Sequence, residues 1–590
     1  MITLYEHATH ILLTGKSEAL NKLSELFQYQ PNGFFYAPSY ERFRASGGRE
    51  GWDGFNRPLQ RLTDTSGRIL RGYRTRLLDE IEDRGYKVNT EKLLTSPFVG
   101  LTEDDVAPDI ICAPWDLDEF QRRCIADWLV EGIGVNNVTV SGGKTAMFAG
   151  AAKLIKDRFP NARFLYLTPS ERLVRQVTKE MRKFLPDFDV GQMGGGSHQS
   201  EAKDMVVCTV AMLSKHYHRL KSSKWFNSFI AVLYDEVHHA GSASSMKVVL
   251  EVPAFFRLGA SDSTKEDDPT RNNAIHGLFG PVLNVVAAEP LIQRGRIAVP
   301  HIYILDDPAW NNCLQNVPFS PLLNSRGFVL LEGVWTDAVY KGQVFERDEN
   351  DKIKTRSVKT AEWDEAAQDW KRINEPIIIA GLHRMEVNGE VMEFDSRWCL
   401  LDRMYDRCII QFSERNKAII NWAKHFHQRE FSTVVVCTRT LHIYILEALI
   451  QKVIDPDYVR ILFGWSTPKE RDETFEWFTG TPGAIMITPL VKEGVNLPCI
   501  RGMIVADWIS GHEVANQIIG RAIRQKSESV NRAEIVWFRD RQHPILRSGC
   551  NRMFKRLQMI RGYEFYDPAP LKPCELELME TSILLQQKLF

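Results

Sequence analysis

Short apolar runs alternate with stretches of helical periodicity between residues 110 and 302. Four of these runs are rich in β-branched and aromatic residues, as strands are, and they occupy residues 137–140, 163–168, 205–209 and 229–234. Residues with the apolar spacing of a helix separate most of them. This alternation predicts βαβ units, in which a parallel sheet carries helices on both faces.

The same alternation returns between residues 406 and 540. Its apolar runs occupy residues 433–438, 458–463, 484–488, 502–506 and 533–538. The sequence therefore predicts an α/β protein with two tandem domains, each built on a parallel sheet, over residues 109–304 and 406–540.

Three further segments differ from these two domains. Residues 305–405 include Asn388-Gly389 between alternating residues, which is a two-residue hairpin signal and predicts a β-rich insert whose role stays open. Residues 1–108 are predicted to form a small α+β domain, and residues 541–590 a helical tail.

Composition narrows the class of protein. The 590 residues suffice for about three to five domains, and 44% hydrophobic with 25% charged residues is typical of soluble globular protein. A formal net charge of −1 means that any nucleic-acid surface must be a local patch. Ten cysteines without a CxxC pair argue against a disulfide framework or a zinc site. Neither a signal-peptide pattern nor a long apolar run occurs, so we expect a cytoplasmic protein.

A glycine-rich loop stands between a predicted strand and a helical run, and consists of Ser141, Gly142, Gly143, Lys144 and Thr145. Glycines let backbone N–H groups turn toward phosphate oxygens, and the following helix amino terminus favours an anion. Lys144 would neutralise the β- and γ-phosphates of ATP, and the Thr145 hydroxyl would bind Mg²⁺. The full P-loop pattern has glycine where this chain has Val138. Alone, the motif is also compatible with a simple Gly-rich turn.

Two carboxylates, Asp235 and Glu236, end a predicted buried strand in the same α/β domain. Asp235 is placed to hold Mg²⁺, and Glu236 to orient and polarise the attacking water. An ordinary acidic loop is the plainer alternative, but the spacing from the lysine fits the partner strand of a P-loop. The neighbouring His238 and His239 have no Cys or third His near them in sequence, which argues against zinc.

The order of GGKT, DEVH and a later Gln-x-x-Gly-Arg-x-x-Arg segment resembles superfamily 2 helicases and translocases. The resemblance implies two RecA-like P-loop domains that form one ATP site and drive movement on nucleic acid. In that comparison Gln121 is similar to the glutamine that reads adenine. Residues 167–176 and 206–213 resemble motifs Ia and Ib, which implies DNA contacts by Thr168, Pro169 and Thr209.

Residues 259–264, GASDST, stand where the family has motif III. The resemblance implies that Ser261 and Ser263, together with His238, couple hydrolysis to movement along the strand. Asp262 occupies a position where a small Ala is usual, which puts the usual coupling in question but not ATP binding.

The Gln-x-x-Gly-Arg-x-x-Arg segment contains Gln517, Arg521 and Arg524. Two arginines three residues apart share one face of a helix. An arginine supplied by a second domain stabilises a transferring γ-phosphoryl group by ~10³–10⁵ in rate. A solvated basic helix face is the common alternative, but Gln517 and Gly520 complete the family pattern and favour an arginine finger.

Two more segments of the second α/β domain resemble family motifs. Residues 489–498 resemble motif V, which implies that Gly494 binds ATP. Arg439, at the end of a predicted strand, resembles motif IV and is implied to contact DNA.

The amino-terminal unit has a basic cluster mixed with aromatic residues between residues 42 and 76. Arginine pairs with phosphate and aromatic rings stack on unpaired bases, so Arg57, Arg71 and Arg74 are predicted to bind DNA. A solvated charged face over a small core is an equal alternative. Residues 47–59 and 67–88 resemble the amino-terminal module of UvsW-type phage helicases.

That resemblance extends over most of the chain apart from the insert. It implies an ATP-dependent helicase acting on duplex, forked or junction DNA, with single-stranded DNA as a further candidate, in recombination-linked repair or replication restart. A helix of the tail either packs on the second α/β domain or contacts duplex DNA. The alternatives are the motor of a restriction or remodelling complex, an RNA helicase, which DEVH and Gln517 disfavour, and a non-catalytic nucleic-acid clamp. Intact Lys144, Asp235 and Glu236 argue against the clamp.

Overall fold

The computed structural model describes residues 1–566 except 33, 35–36, 47, 140, 195–196, 199–201, 263–267, 307–327, 332–333, 346–354, 365–368, 379, 388–389, 396–404, 406–408, 411, 491–499, 524–531 and 541–543. The chain divides into two compact units, Met1–Ala288 and Glu289–Phe590. No helix in these described ranges is both long enough and apolar enough to cross a bilayer.

The amino-terminal module is a five-stranded sheet with helices packed on it, as the predicted small α+β domain requires. Its strands are β1 (Ile2–Glu6), β2 (His10–Thr14), β3 (Gln60–Thr63), β4 (Ser66–Leu70) and β5 (Val88–Lys92), in the spatial order β3-β4-β2-β1-β5. Its helices are α1 (Ser17–Leu26), α2 (Pro38–Ala45) and α3 (Arg74–Asp83). Alternate residues of β1 face inward, so Ile2 and Leu4 join Leu20 of α1 and Leu77 of α3 in one apolar core.

This module is docked on the first α/β domain. The hydroxyl of Tyr73 donates to the Asn273 carbonyl at 2.9 Å. Arg257, which is buried, donates from Nε to the carbonyl of Ala8 at 3.3 Å. A Cβ at Gly72 would collide with the carbonyl oxygen of His276, so only glycine allows this close approach.

The first α/β domain has an eight-stranded sheet. Its strands are β6 (Ile133–Val138), β7 (Phe164–Thr168), β8 (Val190–Gly194), β9 (Ser197–His198), β10 (Met205–Thr209), β11 (Ala231–Asp235), β12 (Phe256–Ser261) and β13 (Val282–Val286), in the order β13-β6-β12-β11-β7-β10-β8-β9. Its helices are α4 (Glu119–Glu131), α5 (Lys144–Arg158), α6 (Glu171–Phe184), α7 (Val210–Lys215), α8 (Tyr217–Ser222), α9 (Ala243–Leu250) and α10 (Pro269–Phe279). Every strand pair except β8–β9 is parallel. The predicted parallel sheet is confirmed, although its first strand begins at Ile133 rather than at residue 137.

Helix α11 (Ala288–Gln293) and strand β14 (Val299–Asp306) lead to the insert. The strands of the insert are β15 (Phe328–Leu331), β16 (Val334–Phe345), β17 (Thr355–Asp364), β18 (Asp369–Ile378), β19 (Ala380–Val387) and β20 (Glu390–Asp395). All its pairings are antiparallel. Val387 of β19 pairs with Glu390 of β20, which confirms the hairpin that the Asn-Gly signal predicts, although residues 388–389 lie outside the described residues.

The second α/β domain has a seven-stranded sheet. Its further strands are β21 (Thr433–Val436), β22 (Val459–Ile461), β23 (Ile485–Thr488), β24 (Gly502–Val505), β25 (Arg532–Arg539) and β26 (Glu564–Tyr566), and its helices are α12 (Ser413–Gln428), α13 (Thr440–Ile450), α14 (Pro468–Gly480), α15 (His512–Ala522) and α16 (Pro544–Leu557). The order is β22-β23-β21-β24-β25-β14-β26, and all pairs are parallel. The second predicted α/β domain is therefore confirmed.

Two predicted boundaries need correction. Strand β14 pairs with β25 from Val299↔Arg532 to Asp306↔Arg539, so residues 299–304 belong to the second sheet and not to the first domain. The tail is helical only in part, because β26 pairs with β14 and joins the same sheet. Helix α16 packs on the second domain, as one alternative predicted, since Leu546, Cys550, Met553 and Leu557 are all buried. Residues 567–590 lie outside the described part of the chain.

Candidate nucleotide site

The loop between β6 and α5 has the backbone shape of an anion cradle. Gly143 precedes the helix with φ 81°, and Ser141 also lies in the left-handed region with φ 64°. The Gly142 amide donates to the Thr139 carbonyl at 3.1 Å and closes the turn. These conformations point the first amides of α5, from Lys144 and Thr145, toward the space where phosphate oxygens would bind.

Gln121 lies directly against this loop. Its Oε1 accepts from the Asp118 amide at 2.9 Å, which caps α4, and its Nε2 donates to the Gly142 carbonyl at 3.0 Å. The φ of 81° favours glycine at position 143, and an added Cβ would also require the Gln121 amide to shift. The adenine contact predicted for Gln121 stays a prediction, and it would require this buried side chain to exchange partners.

Asp235 is the last residue of β11, and Glu236 follows it with φ 53°. A left-handed conformation in a residue that is not glycine costs about 1–3 kcal/mol and is commonest at functional sites. The Glu236 amide donates to Asp235 Oδ1 at 3.0 Å and holds the turn. From this one strand end, Asp235 contacts the Tyr166 hydroxyl and Glu236 contacts Lys144.

Lys144 Nζ donates to Glu236 Oε1 at 2.9 Å. Burial opposes the ammonium charge, but the carboxylates of Glu236, Asp262 and Asp235 outweigh it and raise the pKa of Lys144. Burial and the charge of Glu236 raise the pKa of Asp235 to about 7. Burial also acts to raise the pKa of Glu236, but Lys144 and His238 overcome it and lower that pKa. The positive charge of Lys144 therefore compensates part of the negative charge of three neighbouring carboxylates, those of Glu236, Asp262 and Asp235.

Tyr166 of β7 is a site residue that the sequence did not reveal. Its hydroxyl lies 3.5 Å from Asp235 Oδ2, and it also bonds the Thr145 side chain. Burial raises the pKa of this phenol, so it remains a neutral donor. The contact arises because β7 lies beside β11 in the sheet, and only the apolar run FLYLT in the sequence hints at it.

Ser261 and His238 extend the cluster away from the loop. His238 Nδ1 lies 2.7 Å from Ser261 Oγ, and Ser261 Oγ donates to Glu236 Oε2 at 3.5 Å. Burial lowers the pKa of His238 to about 4, so the ring is neutral at physiological pH. A continuous polar connection thus runs from the predicted water-activating carboxylate to the predicted coupling residues. Ser263 lies outside the described residues.

Asp262 adds a third carboxylate to the site. Its charge acts on Lys144, and the ligand atoms of Glu236, His238 and Asp262 lie within 4.8 Å of one another. Such a group has the donor types that bind a divalent cation. The residue that departs from the usual motif III pattern therefore faces the nucleotide side of the domain.

The strand ends implied to contact DNA lie at the same edge of the sheet. Thr168 and Thr209 pair in register at the ends of β7 and β10. Both are buried: Thr168 donates to the Ser170 carbonyl at 3.0 Å, and Thr209 accepts from the Met212 amide at 3.2 Å. Pro169 is exposed. Of these three, Pro169 is exposed and the two threonines are buried in loop contacts, and the DNA contacts implied for all three stay predictions.

In the second unit, Gln517 and Arg521 lie one turn apart on α15, and both are half-buried. Ile518 and Ile519 fill the core on the other face of that helix. The Arg439 guanidinium lies over the Tyr405 ring, 4.8 Å from its centroid, directly before α13. Gly494 and Arg524 lie outside the described residues, so their predicted roles stay predictions.

The structure corrects the prediction for Arg71. This side chain is fully buried, its Nε donates to Glu6 Oε1 at 2.7 Å, and its Nη1 donates to the Phe255 carbonyl. It fastens the module to the first α/β domain and has no open face for phosphate. Arg74 also serves the fold, because it donates to the Leu94 carbonyl at 2.9 Å and lies 3.4 Å from Glu6. Arg57 remains exposed, paired with Asp53 at 2.5 Å.

Comparison with known proteins finds similarity in both α/β domains. Residues 117–261 match the family model of the type III restriction enzyme res subunit, and residues 411–526 match the helicase conserved C-terminal domain. The DNA 3'-5' translocase XPB2 of Sulfurisphaera tokodaii is 26% identical over 179 residues, which are 30% of this chain and 38% of the relative. The chloroplastic DExH-box ATP-dependent RNA helicase DExH15 of Arabidopsis thaliana is 26% identical over 181 residues, 30% of this chain and 15% of that protein.

The chain thus spans well under two thirds of either curated relative. Among solved structures, UvsW of bacteriophage T4 is similar with a TM-score of 0.39 and 14% identity, over 96% of this chain and 99% of that one. The two matched families supply the paired domains of motors that use ATP, typically with Mg²⁺. Both matched domains occur here in sequence order with their motifs, which supports the resemblance to superfamily 2 helicases and translocases.

Proposed function

We propose that this protein is an ATP-driven DNA helicase or translocase that remodels forked or branched DNA. The observation that carries the proposal is the cluster in which Lys144, Asp235 and Glu236 meet at the ends of neighbouring strands and connect through Ser261 to His238. A phosphate cradle, an acidic pair and a polar connection to the strand-binding edge are the parts that such a motor requires.

In the ATP-bound enzyme, Lys144 holds the β- and γ-phosphates and Glu236 orients the attacking water. Thr145 and Asp235 fit Mg²⁺, since both offer oxygen ligands and both contact the same Tyr166 hydroxyl. Bound there, Mg²⁺ would neutralise charge on the phosphate oxygens. Binding of ATP requires Lys144 to exchange its bond with Glu236 for phosphate, which frees that carboxylate for water.

Arg521 and Arg524 complete the proposed chemistry as arginine fingers from the second domain. Arg521 lies on α15, and the opposite face of this helix packs in the core, so the backbone that carries the arginine is held in place. A rigidly supported guanidinium stabilises the γ-phosphoryl group better than a mobile lysine would.

The proposal that the motor moves on DNA rests on two observations. The curated relative XPB2, named a DNA translocase, is matched over 38% of its length, whereas the DExH-box RNA helicase is matched over 15%. The Gln517 motif also differs from the RNA-unwinding DEAD-box pattern. The preference for forks and junctions, with a role in repair or replication restart, rests on the resemblance of residues 47–59 and 67–88 to the UvsW-type module. The res-subunit match favours a second candidate, a translocating motor that leaves strands paired.

The test compares ATP hydrolysis in the presence of single-stranded DNA, blunt duplex, a fork, a four-way junction and RNA, with Glu236→Gln as the inactive control. Strand displacement and junction migration are followed on the same labelled substrates. We expect the greatest stimulation and remodelling with the fork and the junction. Stimulation by blunt duplex without strand displacement would establish the second candidate, and stimulation by RNA alone would refute a DNA motor.

A further inference from the structure

A cleft of about 760 Å³ lies between the amino-terminal module and helices α9 and α10 of the first α/β domain. We infer that it binds an unpaired nucleotide of the DNA strand, with the base inside and the phosphates at the rim. This inference rests on the proposed function and assigns to that motor a second DNA contact, away from the strand edge beside the nucleotide site.

The rim of the cleft is positively charged. Arg57 and Arg68 are exposed there, and none of the described residues that line the cleft is Asp or Glu. Arg57 pairs with Asp53 of the same loop at 2.5 Å, and Arg68 donates to Gln60 Oε1 at 3.1 Å. Exposed pairs of this kind are weak, so a phosphate can replace either partner.

The wall and floor suit a nucleobase. Tyr29 and Phe55, both half-buried, line one wall, and the backbones of Tyr29 and Asn56 exchange hydrogen bonds of 2.9 and 2.8 Å that hold this wall in place. The floor includes the apolar side chains of Ile69 and Leu250. Aromatic and apolar surfaces of this kind receive the faces of unpaired bases.

Amide groups stand where the edge of a base would lie. Asn56 and Gln60 line the cleft, and each side chain offers both a donor and an acceptor. Asn56 Nδ2 also lies 3.4 Å from the Tyr29 hydroxyl, which directs the amide toward the aromatic wall. The combination of an arginine rim, an aromatic wall and amides recognises one nucleotide by its phosphate and its base together.

A strand, rather than a free nucleotide, is indicated by charge outside the cleft. Arg42, Arg44 and Arg49 are all exposed in the segment that leads to the Phe55 wall. A basic segment that continues past the cleft suits a polymer of phosphates, whereas a free nucleotide would need charge only at the rim. Arg71 and Arg74, by contrast, are engaged with Glu6 and with backbone carbonyls and serve the fold.

The test uses the full chain with Arg57→Ala combined with Arg68→Ala, and separately Phe55→Ala. The matched control is Arg84→Ala, which removes an exposed arginine of the same module paired with Glu80. Binding of single-stranded DNA, a fork and blunt duplex is measured by fluorescence anisotropy at several salt concentrations, and thermal unfolding checks each fold.

We expect the double variant to bind single-stranded and forked DNA about tenfold more weakly, with the slope of log affinity against log salt reduced by about 1.4 for two lost phosphate contacts. Phe55→Ala should weaken binding without changing that slope, and the control should match the wild type. Equal loss on blunt duplex, unchanged binding, or displacement of the oligonucleotide from the cleft by ATP would each overturn the inference. Wild-type ATP hydrolysis stimulated by DNA would still support the proposed function in those cases, and its absence would refute that function separately.

Discussion

The ammonium group of Lys144 and the carboxylate of Glu236 are joined by one hydrogen bond of 2.9 Å, although the residues are 92 positions apart. The lysine begins α5, and the carboxylate follows β11, two strands away from β6. The groups proposed for phosphate binding and for water activation therefore meet at one point in the first domain.

Replacing Lys144 with Ala should reduce ATP turnover by ~10²–10³-fold, because it removes the ammonium group that faces the carboxylates of Glu236, Asp262 and Asp235 and is proposed to hold the phosphates. Steady-state ATP hydrolysis at saturating DNA measures this change. Lys153→Ala is the control, since Lys153 lies on the same helix and pairs only with Asp157 at the surface. Normal turnover by the Lys144 variant would refute the loop assignment.

Glu236→Gln keeps the shape of the side chain but removes its capacity to accept a proton. We expect ATP to bind and hydrolysis to fall by ~10²–10⁴-fold, as for loss of a general base. A filter-binding assay for ATP and a single-turnover hydrolysis assay separate the two effects. A variant that cycles repeatedly at the wild-type rate would exclude Glu236 as the water-orienting residue.

Ser261→Ala removes the link between Glu236 and His238. We expect movement on DNA to decline more than ATP hydrolysis does, so that fewer base pairs are migrated for each ATP consumed. The ratio of junction migration to phosphate release measures this coupling, with the exposed Ser222→Ala as control. An equal decline in both rates would mean that Ser261 serves hydrolysis alone.

Arg71→Ala should destabilise the protein and leave DNA affinity of the folded variant unchanged. Removing the buried guanidinium leaves the buried Glu6 with the more distant Arg74, 3.4 Å away, as its cation, and breaking a buried ion pair in this way costs about 3–5 kcal/mol of unfolding free energy. Arg84→Ala, at a surface pair, should cost under about 1 kcal/mol. Denaturant unfolding with parallel DNA titrations distinguishes these outcomes. Normal stability with weakened DNA binding would restore Arg71 to the DNA surface.

Stability should also depend on pH through His442. This ring is fully buried with Nε2 2.9 Å from Asn416 Oδ1, and burial, aided by the charge of Arg415, lowers its pKa to about 3. The unfolded chain takes up a proton below about pH 6.5 while the folded ring stays neutral, so stability is full above that pH and falls toward pH 3.

Between pH 7.5 and 5.5 the contribution of His442 to that loss should be about 1.4 kcal/mol. Denaturant unfolding of the wild type and of His442→Gln at both pH values measures it, with the exposed His218→Gln as control. The His442 variant should lose less stability on acidification than the wild type does. An identical loss in both would show that the folded ring takes up its proton in the ordinary range.

Local patterns in the sequence determined most of the secondary structure of this protein and the position of its candidate site motifs. Alternating strands and helices, the Asn388-Gly389 hairpin and the GGKT and DEVH motifs depend on neighbours along the chain, and sequence records these directly. The family could be predicted for the same reason, because its motifs are short and lie at strand ends.

Only the tertiary structure decided which strand ends meet. The order β6-β12-β11-β7 differs from the order in the chain, and it places Tyr166 beside Asp235 and Ser261 beside Glu236. The structure also places β14 in the second sheet, because the position of a strand depends on the strand it pairs with and not on a boundary predicted from composition. Arg71 and Arg57 look alike in sequence, yet one is buried against Glu6 and the other is exposed at the cleft. The role of a charged side chain depends on the residue that it contacts in the folded protein, and that residue can be distant in the sequence.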